Sequence, residues 1–160
     1  QKLNNLNNFS LKNVKLEDID LIFRWRNTKS AIKYSLSKKR IKFSDHITWF
    51  KKRMTQKPLL FWKLKKKSSD IGFVRLDKNK NYLLGYFIDK KYRNKKYGSL
   101  IINKMLKKKN FKDILRKKNK IFAFTRKKNK KSINALISNN FYKEQKYYSK
   151  KASAYYKKNK

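Results

Sequence analysis

No cysteine occurs among the 160 residues. Disulfides and thiolate metal sites are therefore excluded, and a reducing, cytoplasmic setting is the expectation. A single histidine, His46, rules out a His-rich metal cluster, so no metal is expected. There is one proline, Pro58, and three glycines, Gly72, Gly85 and Gly98. Each marks a place where the backbone has a specific need. No apolar run approaches the ~20 residues that span a bilayer, and no secretory leader is visible. The chain opens at Gln1 rather than Met, which suggests a processed or excised piece of something longer.

Acids are also scarce: 9 Asp plus Glu stand against 48 Lys plus Arg, a formal net charge of +39. At face value this predicts affinity for polyanions. The excess is mostly lysine scattered along the chain, together with abundant Asn, Ile, Phe and Tyr, all with A/T-rich codons. Compositional drift accounts for that pattern, whereas a dedicated nucleic-acid protein clusters its cations. No specific nucleic-acid partner is expected. Hydrophobic residues at 39% and aromatics at 15% suffice for a core, so the length reads as one domain.

The pattern of residues gives the order β-α-α-β-β-β-α-β-α-β, an α/β class. Residues 1–8 read as a flexible lead-in, 9–150 as the single domain and 151–160 as a frayed basic tail. "FSLKNVK" at 9–15 alternates as a short strand, and acids Glu17 and Asp18 open a helical stretch. "KFSDHITWFKKRM" starts a helix with Ser44 as candidate N-cap, ending before Pro58. "LLFWKLK" and "DIGFVRL" flank "KKSS" as a hairpin. A turn at 77–81 leads to "NYLLGYFID", with Tyr82, Leu84, Tyr86 and Ile88 on one face. Gly85 inside that strand predicts a bulge or a close approach. Arg75 and Asp77 read as ordinary strand-end charges.

"YRNKKYGS" at 92–99 then joins that strand to the apolar-striped helix of 97–110. A strand, a basic glycine-containing loop and a helix N-terminus outline an anion site. First-turn N–H groups and the positive dipole end attract phosphate, and glycine allows close approach. A solvated basic turn is the alternative. Neither GxxxxGK[ST] nor GxGxxG is present.

The stretch "LLGYFIDKKYRNKKYGSLIINKML" resembles the acetyl-coenzyme A loop of GNAT acetyltransferases, Arg/Gln-x-x-Gly-x-Gly/Ala between strand and helix. Arg93 and Gly98 match its ends; the middle glycine is Lys96, expected to need an ordinary φ. "NKKSINALISNNFYKE" resembles the family's later Asn-x-x-Ser/Ala…Gly-Phe segment through Asn129, Ser132 and Phe141. Asn140 replaces the glycine and tolerates the left-handed region. "FRWRNTKSAIKYS…HITWF", with Trp25, Arg26, Asn27, His46 and Trp49, resembles members that acetylate nucleotide-linked amino sugars, as in pseudaminic-acid biosynthesis. The chain is also similar to the ribosomal-protein alanine acetyltransferase-like group. The resemblance runs from about Phe9 to Glu144.

The resemblance implies a GNAT (acyl-CoA N-acyltransferase) fold, a mixed, mostly antiparallel sheet flanked by helices. It implies acetyl-CoA as cofactor and direct attack by an amine; the lack of cysteine independently excludes a cysteine acyl-enzyme. Implied cofactor-binding residues are Phe87, Ile88, Arg93, Asn94, Lys95, Lys96, Tyr97, Gly98, Ser99, Asn129 and Ser132. A strand splayed after Gly85 would free an N–H for the oxyanion. The family's usual thiolate-protonating Tyr falls at Leu136, so Tyr86 becomes the candidate acid. His46 is the candidate base, its ordinary pKa of ~6.5 suiting proton removal near neutrality; the alternative is a helix histidine packed beside Trp49. Trp25, Arg26, Asn27 and Trp49 form the candidate substrate group, with stacking tryptophans and a diphosphate-holding arginine. The partner is then a small-molecule substrate, an amino sugar, and a homodimer is possible. A protein N-terminal or small-amine acetyltransferase of the same fold, and a polyanion-binding or degenerate GNAT domain, stay open.

Overall fold

The computed structural model describes residues 8–78, 80–116, 120–148 and 152–157. Residues 1–7 of the expected lead-in, and position 79 of the expected second turn, lie outside the described residues. The described strands form one sheet in the order β1-β2-β3-β4-β5-β7-β6. They are β1 (Phe9–Asn13), β2 (Phe61–Lys66), β3 (Ser69–Lys78), β4 (Tyr82–Ile88), β5 (Ile121–Arg126), β6 (Tyr142–Tyr148) and β7 (Ala152–Lys157). All neighbours pair antiparallel except β4 with β5. This is the mixed, mostly antiparallel sheet expected. The tail is a correction: Ala152–Lys157 is not frayed but lies between β5 and β6, with Ile121 opposite Lys157 and Arg126 opposite Ala152.

Helices cover both faces. On one side stand α1 (Ile19–Arg26) and α3 (Phe43–Met54), with the short α2 (Lys29–Tyr34), which has no buried residue, between them in sequence. α4 (Tyr97–Leu106), α5 (Lys109–Arg116) and α6 (Lys130–Ile137) follow the sheet's middle strands in sequence. Periodicity predicted α1, α3, α4 and α6; α2 and α5 are short additions. Lys42, not Ser44, occupies the N-cap of α3, whose first turn therefore begins earlier than the serine suggested.

Strand alternation divides the core in two. Leu64, Val74, Leu76, Leu84, Ile88, Ile121 and Ala123 face α4 and α6, meeting Ile101, Ile102, Met105 and Leu136. Phe61 and Phe73 point the other way, onto Ile22 and Trp25 of α1 and Phe50 of α3. β2 is buried on both faces from Phe61 to Leu64, although three of its six residues are lysines. Its one interior cation, Lys63, is neutralised by Asp18 at 2.6 Å and Asp70 at 3.2 Å. Desolvation opposes charging it, but those two partners keep its pKa raised.

Gly72 sits where β3 presses on β4: a Cβ there would lie 2.0 Å from the Phe87 carbonyl oxygen. Backbone cannot yield as a side chain can. Gly72→Ala is expected to lower unfolding stability by about 3 kcal/mol through overpacking, read as a reduced denaturant midpoint.

Candidate active site

β4 and β5 are parallel neighbours for only two residues, Tyr82 opposite Ile121 and Leu83 opposite Phe122. Past Leu83 the ladder between them ends among the described residues, while β4 stays paired with β3 through Ile88. The stretch 84–88 thus shows β5 an edge of backbone groups inside the sheet. The separation begins just before Gly85 rather than after it. Gly85 carries no bulge, since the β3–β4 register is unbroken; it makes the alternative close approach, with Arg75 crossing it. A Cβ at Gly85 would be 3.1 Å from Arg75 Nε.

On the α4/α6 side of the split, the Tyr86 hydroxyl donates to Ser132 Oγ at 3.1 Å. Burial raises the Tyr86 pKa above its ordinary value, and the Ser132 bond opposes this. Asn129 caps α6, its Oδ1 accepting from the Ser132 amide at 3.3 Å. Leu136, at the position of the family's tyrosine, is a core residue with 1% exposure. On β5, Thr125 Oγ1 is buried with no hydrogen-bond partner among the described residues. Its alternation puts it on the face of Ile121 and Ala123.

The loop at the end of β4 corrects one expectation. Lys96 takes φ 59° and ψ 22°, the left-handed conformation suited to glycine, and Asn94 joins it at φ 63°. The loop has a glycine-type backbone without glycine. Gly98 serves packing instead: it has no positive φ, and a Cβ there would lie 3.1 Å from Tyr86 Cε2. Asn140 is left-handed as expected, φ 60°, closing α6 while Phe141 N–H donates to the Leu136 carbonyl.

The cofactor candidates divide. Asn94, Lys95 and Lys96 are exposed at the α4 N-terminus, where first-turn N–H groups have no helical acceptor. Tyr97 packs edge-on to Phe9, ring centroids 5.0 Å apart. Ser99 Oγ pairs with Ser138 Oγ at 2.8 Å, tying α4 to α6. Arg93 turns inward, donating from Nε to the Ile88 carbonyl at 2.9 Å and from Nη2 to Ser30 Oγ at 2.8 Å. Its guanidinium lies over the Phe87 ring. Arg126, at the end of β5, donates to the Ser35 and Leu36 carbonyls at 2.9 and 2.8 Å. Two arginines, one from each side of the split, therefore hold the α2 segment. Sequence reasoning missed Arg126, Thr125 and Ser30; no spacing signal marks them.

The substrate candidates lie on the opposite face. Trp25 is buried against Phe73 and Phe87, its indole N–H donating to Asp89 at 2.9 Å. Asn27 clamps the Ile41 backbone in both directions, at 2.9 and 2.8 Å. Arg26 and Trp49 meet, the guanidinium 4.0 Å from the ring centroid. His46 is buried with 0% exposure, surrounded by Phe23, Phe43, Trp49 and Phe50. Its Nε2 lies 2.8 Å from the Ile19 carbonyl, to which it donates, and Nδ1 accepts from Arg26 at 3.2 Å. Both ring nitrogens are thus engaged in the neutral tautomer, leaving no lone pair for an incoming ammonium. Desolvation is the main cause of its lowered pKa, with Arg26 adding to it. Arg75, read from the sequence as an ordinary strand-end charge, instead lies over Trp49 at 4.9 Å. A glycine opposite an arginine across a hairpin was the available signal.

Residues 8–141 match the acetyltransferase (GNAT) domain family. No curated protein sequence matches the chain. Among solved structures, spermidine N-acetyltransferase from Vibrio cholerae, in complex with CoA and spermine, superposes with TM-score 0.74 at 14% identity, covering 94% of this chain and 95% of that one. An N-acetyltransferase from Staphylococcus aureus Mu50 gives 0.72 at 16% identity, over 94% and 98%. N-acetyltransferase PseH from Campylobacter jejuni, in complex with acetyl coenzyme A, gives 0.66 at 21%, over 95% and 99%.

A histidine whose folded pKa lies below its unfolded value binds more protons unfolded. The stability it contributes is full above 6.5 and is lost as pH falls from there through the lower folded value. The His46 ring protons, free of overlap from other histidines, are expected to titrate below 6.5 by NMR. The unfolding free energy of the native chain should fall relative to His46→Asn across that same window. Lys96→Gly is expected to raise stability by up to about 1 kcal/mol, the left-handed strain relieved less the entropy glycine adds to the unfolded chain. Thermal denaturation of the two proteins measures it.

Proposed function

This chain belongs to the GNAT acetyltransferase family, and on that footing we propose that it acetylates the primary amine of a nucleotide-linked amino sugar by direct attack. Acetyl coenzyme A, the cosubstrate, supplies the acetyl group as a thioester. The residues present fit it. The edge of 84–88 left open beyond Leu83 can take hydrogen bonds from an extended arm, as a sheet edge takes a strand. The unpartnered Thr125 hydroxyl lies on β5 beyond the last β4–β5 pair. The left-handed Lys96 and Asn94 turn the basic loop into the start of α4, where amides suit a pyrophosphate. That conformation favours a working cofactor loop over a degenerate one.

Tyr86 is the proton donor for the departing sulfur in this reading. Its raised pKa keeps the phenol protonated at neutral pH, and Ser132 orients the hydroxyl. The attacking amine must be neutral and gives its proton to solvent, for which His46 is not needed. In place of a base, the cations beside the split depress the amine's pKa. Arg93, Asn129, Ser132, Ser99 and Tyr97 support the loop and α6, while Trp25 and Asn27 position the acceptor side.

The observation that carries the choice of acceptor is the pairing of Arg26 and Trp49 next to the split, a cationic and aromatic surface. Such a surface suits a nucleotide's base and phosphates. A polyamine, the ligand of the Vibrio neighbour, would be repelled by it. The PseH neighbour and the Trp25-Arg26-Asn27 and His46…Trp49 words support the sugar reading.

Acetyl coenzyme A should raise the melting temperature with saturation, by linkage. Thiol release should then depend on a uridine-diphosphate-linked amino sugar and not on spermidine or an N-terminal peptide. The reverse preference would overturn the acceptor reading. Tyr86→Phe should lower kcat about 100-fold, with coenzyme affinity measured by calorimetry little changed.

A further inference from the structure

Arg75 is an interior arginine with too few partners. It stands on β3 opposite Gly85 of β4, on the sheet face of Phe73 and the α1/α3 helices. A guanidinium carries about five N–H donors. Among the described residues, Arg75 makes one contact with a carboxylate, Nη2 to Asp77 Oδ2 at 3.5 Å, and its Nε is buried without an acceptor. Asp77 is shared, since its Oδ1 lies 3.1 Å from Arg53 Nη1. Arg53 also leaves its Nε buried without an acceptor among the described residues, but both of its terminal nitrogens are bonded, donating to Gln56 at 2.7 Å and to the Leu60 and Leu76 carbonyls.

A second guanidinium stands beside it. Arg26 and Arg75 both lie over Trp49, at 4.0 and 4.9 Å from the ring centroid. Among the described residues, the one side-chain hydrogen bond of Arg26 goes to neutral His46. Its pKa is lowered to about 10, by desolvation first and by the Arg75 charge second. Among the described residues, Arg53 and Arg75 thus share the carboxylate of Asp77, and Arg26 beside them has no ion pair of its own. Removing such charges from water without counter-charge is costly. A purely structural site would fill the space with apolar side chains; here a glycine in mid-strand keeps room for the Arg75 side chain instead. About a fifth of that side chain is exposed, so the site can be entered from solvent.

The geometry points to Arg75 and Arg26, held over Trp49 and across Gly85, as a binding site for an oxyanion carried by the acceptor, which selects acidic amines over neutral or cationic ones. The shared chemistry is a phosphate or carboxylate accepting from two guanidiniums. The site faces the 84–88 stretch, so a bound acid would tether the acceptor beside the split. This inference rests on the acetyltransferase reading for the identity of the acceptor but not for the binding of the anion.

The test is a titration of arginine-labelled full-length protein at physiological ionic strength, following the Arg75 and Arg26 Nε–H signals. Inorganic pyrophosphate and succinate are the two probes. Expected is a saturable shift of the Arg75 signal, with affinity weakened at least tenfold by Arg26→Gln, and a partial shift of the Arg26 signal retained in Arg75→Lys. Response to pyrophosphate alone identifies a phosphate acceptor, and response to succinate alone a carboxylate one. An Arg75 signal unmoved by both probes overturns the inference, as does a shift that Arg26→Gln leaves unchanged. The unsubstituted protein alone gives the first result, so a variant that fails to fold does not block the test. Amino-sugar acetylation is measured on the same sample. Acetylation with a silent Arg75 sinks the oxyanion site only; a responding Arg75 without acetylation sinks the amino-sugar reading only.

Discussion

The parting of β4 from β5 after Leu83 is the constraint on which the rest of the structure depends. A parallel pair inside a sheet normally spends its backbone groups on each other, and leaving them unspent is costly unless a partner arrives. The surrounding elements are arranged around that opening. Tyr86 and Ser132 stand on one face, Arg75 and Trp49 on the other. Arg93 and Arg126, from the ends of the two strands, hold the α2 segment between them.

Scarcity of acid shapes the energetics. With formal charge +39, repulsion is general, and four of the carboxylates, Asp18, Asp70, Asp77 and Asp89, are placed against a cation or polar group of the interior. Asp18 and Asp70 neutralise Lys63 and Lys65 on β2, and Asp89 receives the Trp25 indole. Asp77 alone serves Arg53 and Arg75. Where the carboxylates stop, the cations stay underpaired, and that happens beside the cleft. The Arg26–Trp49–Arg75 group is a specific cluster, two guanidiniums over one ring.

Scarcity of glycine is met by other residues. Left-handed positions fall on Lys38, Lys67, Asn94, Lys96 and Asn140, while the three glycines all have negative φ. Each glycine makes room for a neighbour: Gly72 for the Phe87 carbonyl, Gly85 for Arg75 and Gly98 for Tyr86. The resemblance of the loop to a glycine-rich pattern therefore holds at the level of conformation and not of residue type. Side-chain identity at Lys96 suggested an ordinary φ; the loop's closure onto α4 overrode it.

The loop and α6 motifs carried the family resemblance, while alternation and helical period in the sequence were enough for most of the strands and helices and for the shared face of Tyr82, Leu84, Tyr86 and Ile88. These follow from local spacing, because a period of 2 or 3.6 fixes which side chains share a face. Tertiary structure alone decided that β7 enters the sheet between β5 and β6, that His46 spends both ring nitrogens inside, and that Arg75 reaches over Gly85 to Trp49. Those outcomes join residues far apart in the chain. Local spacing says nothing about which distant side chain will meet a buried donor, and burial decides whether that donor is paired within the fold or left for a ligand.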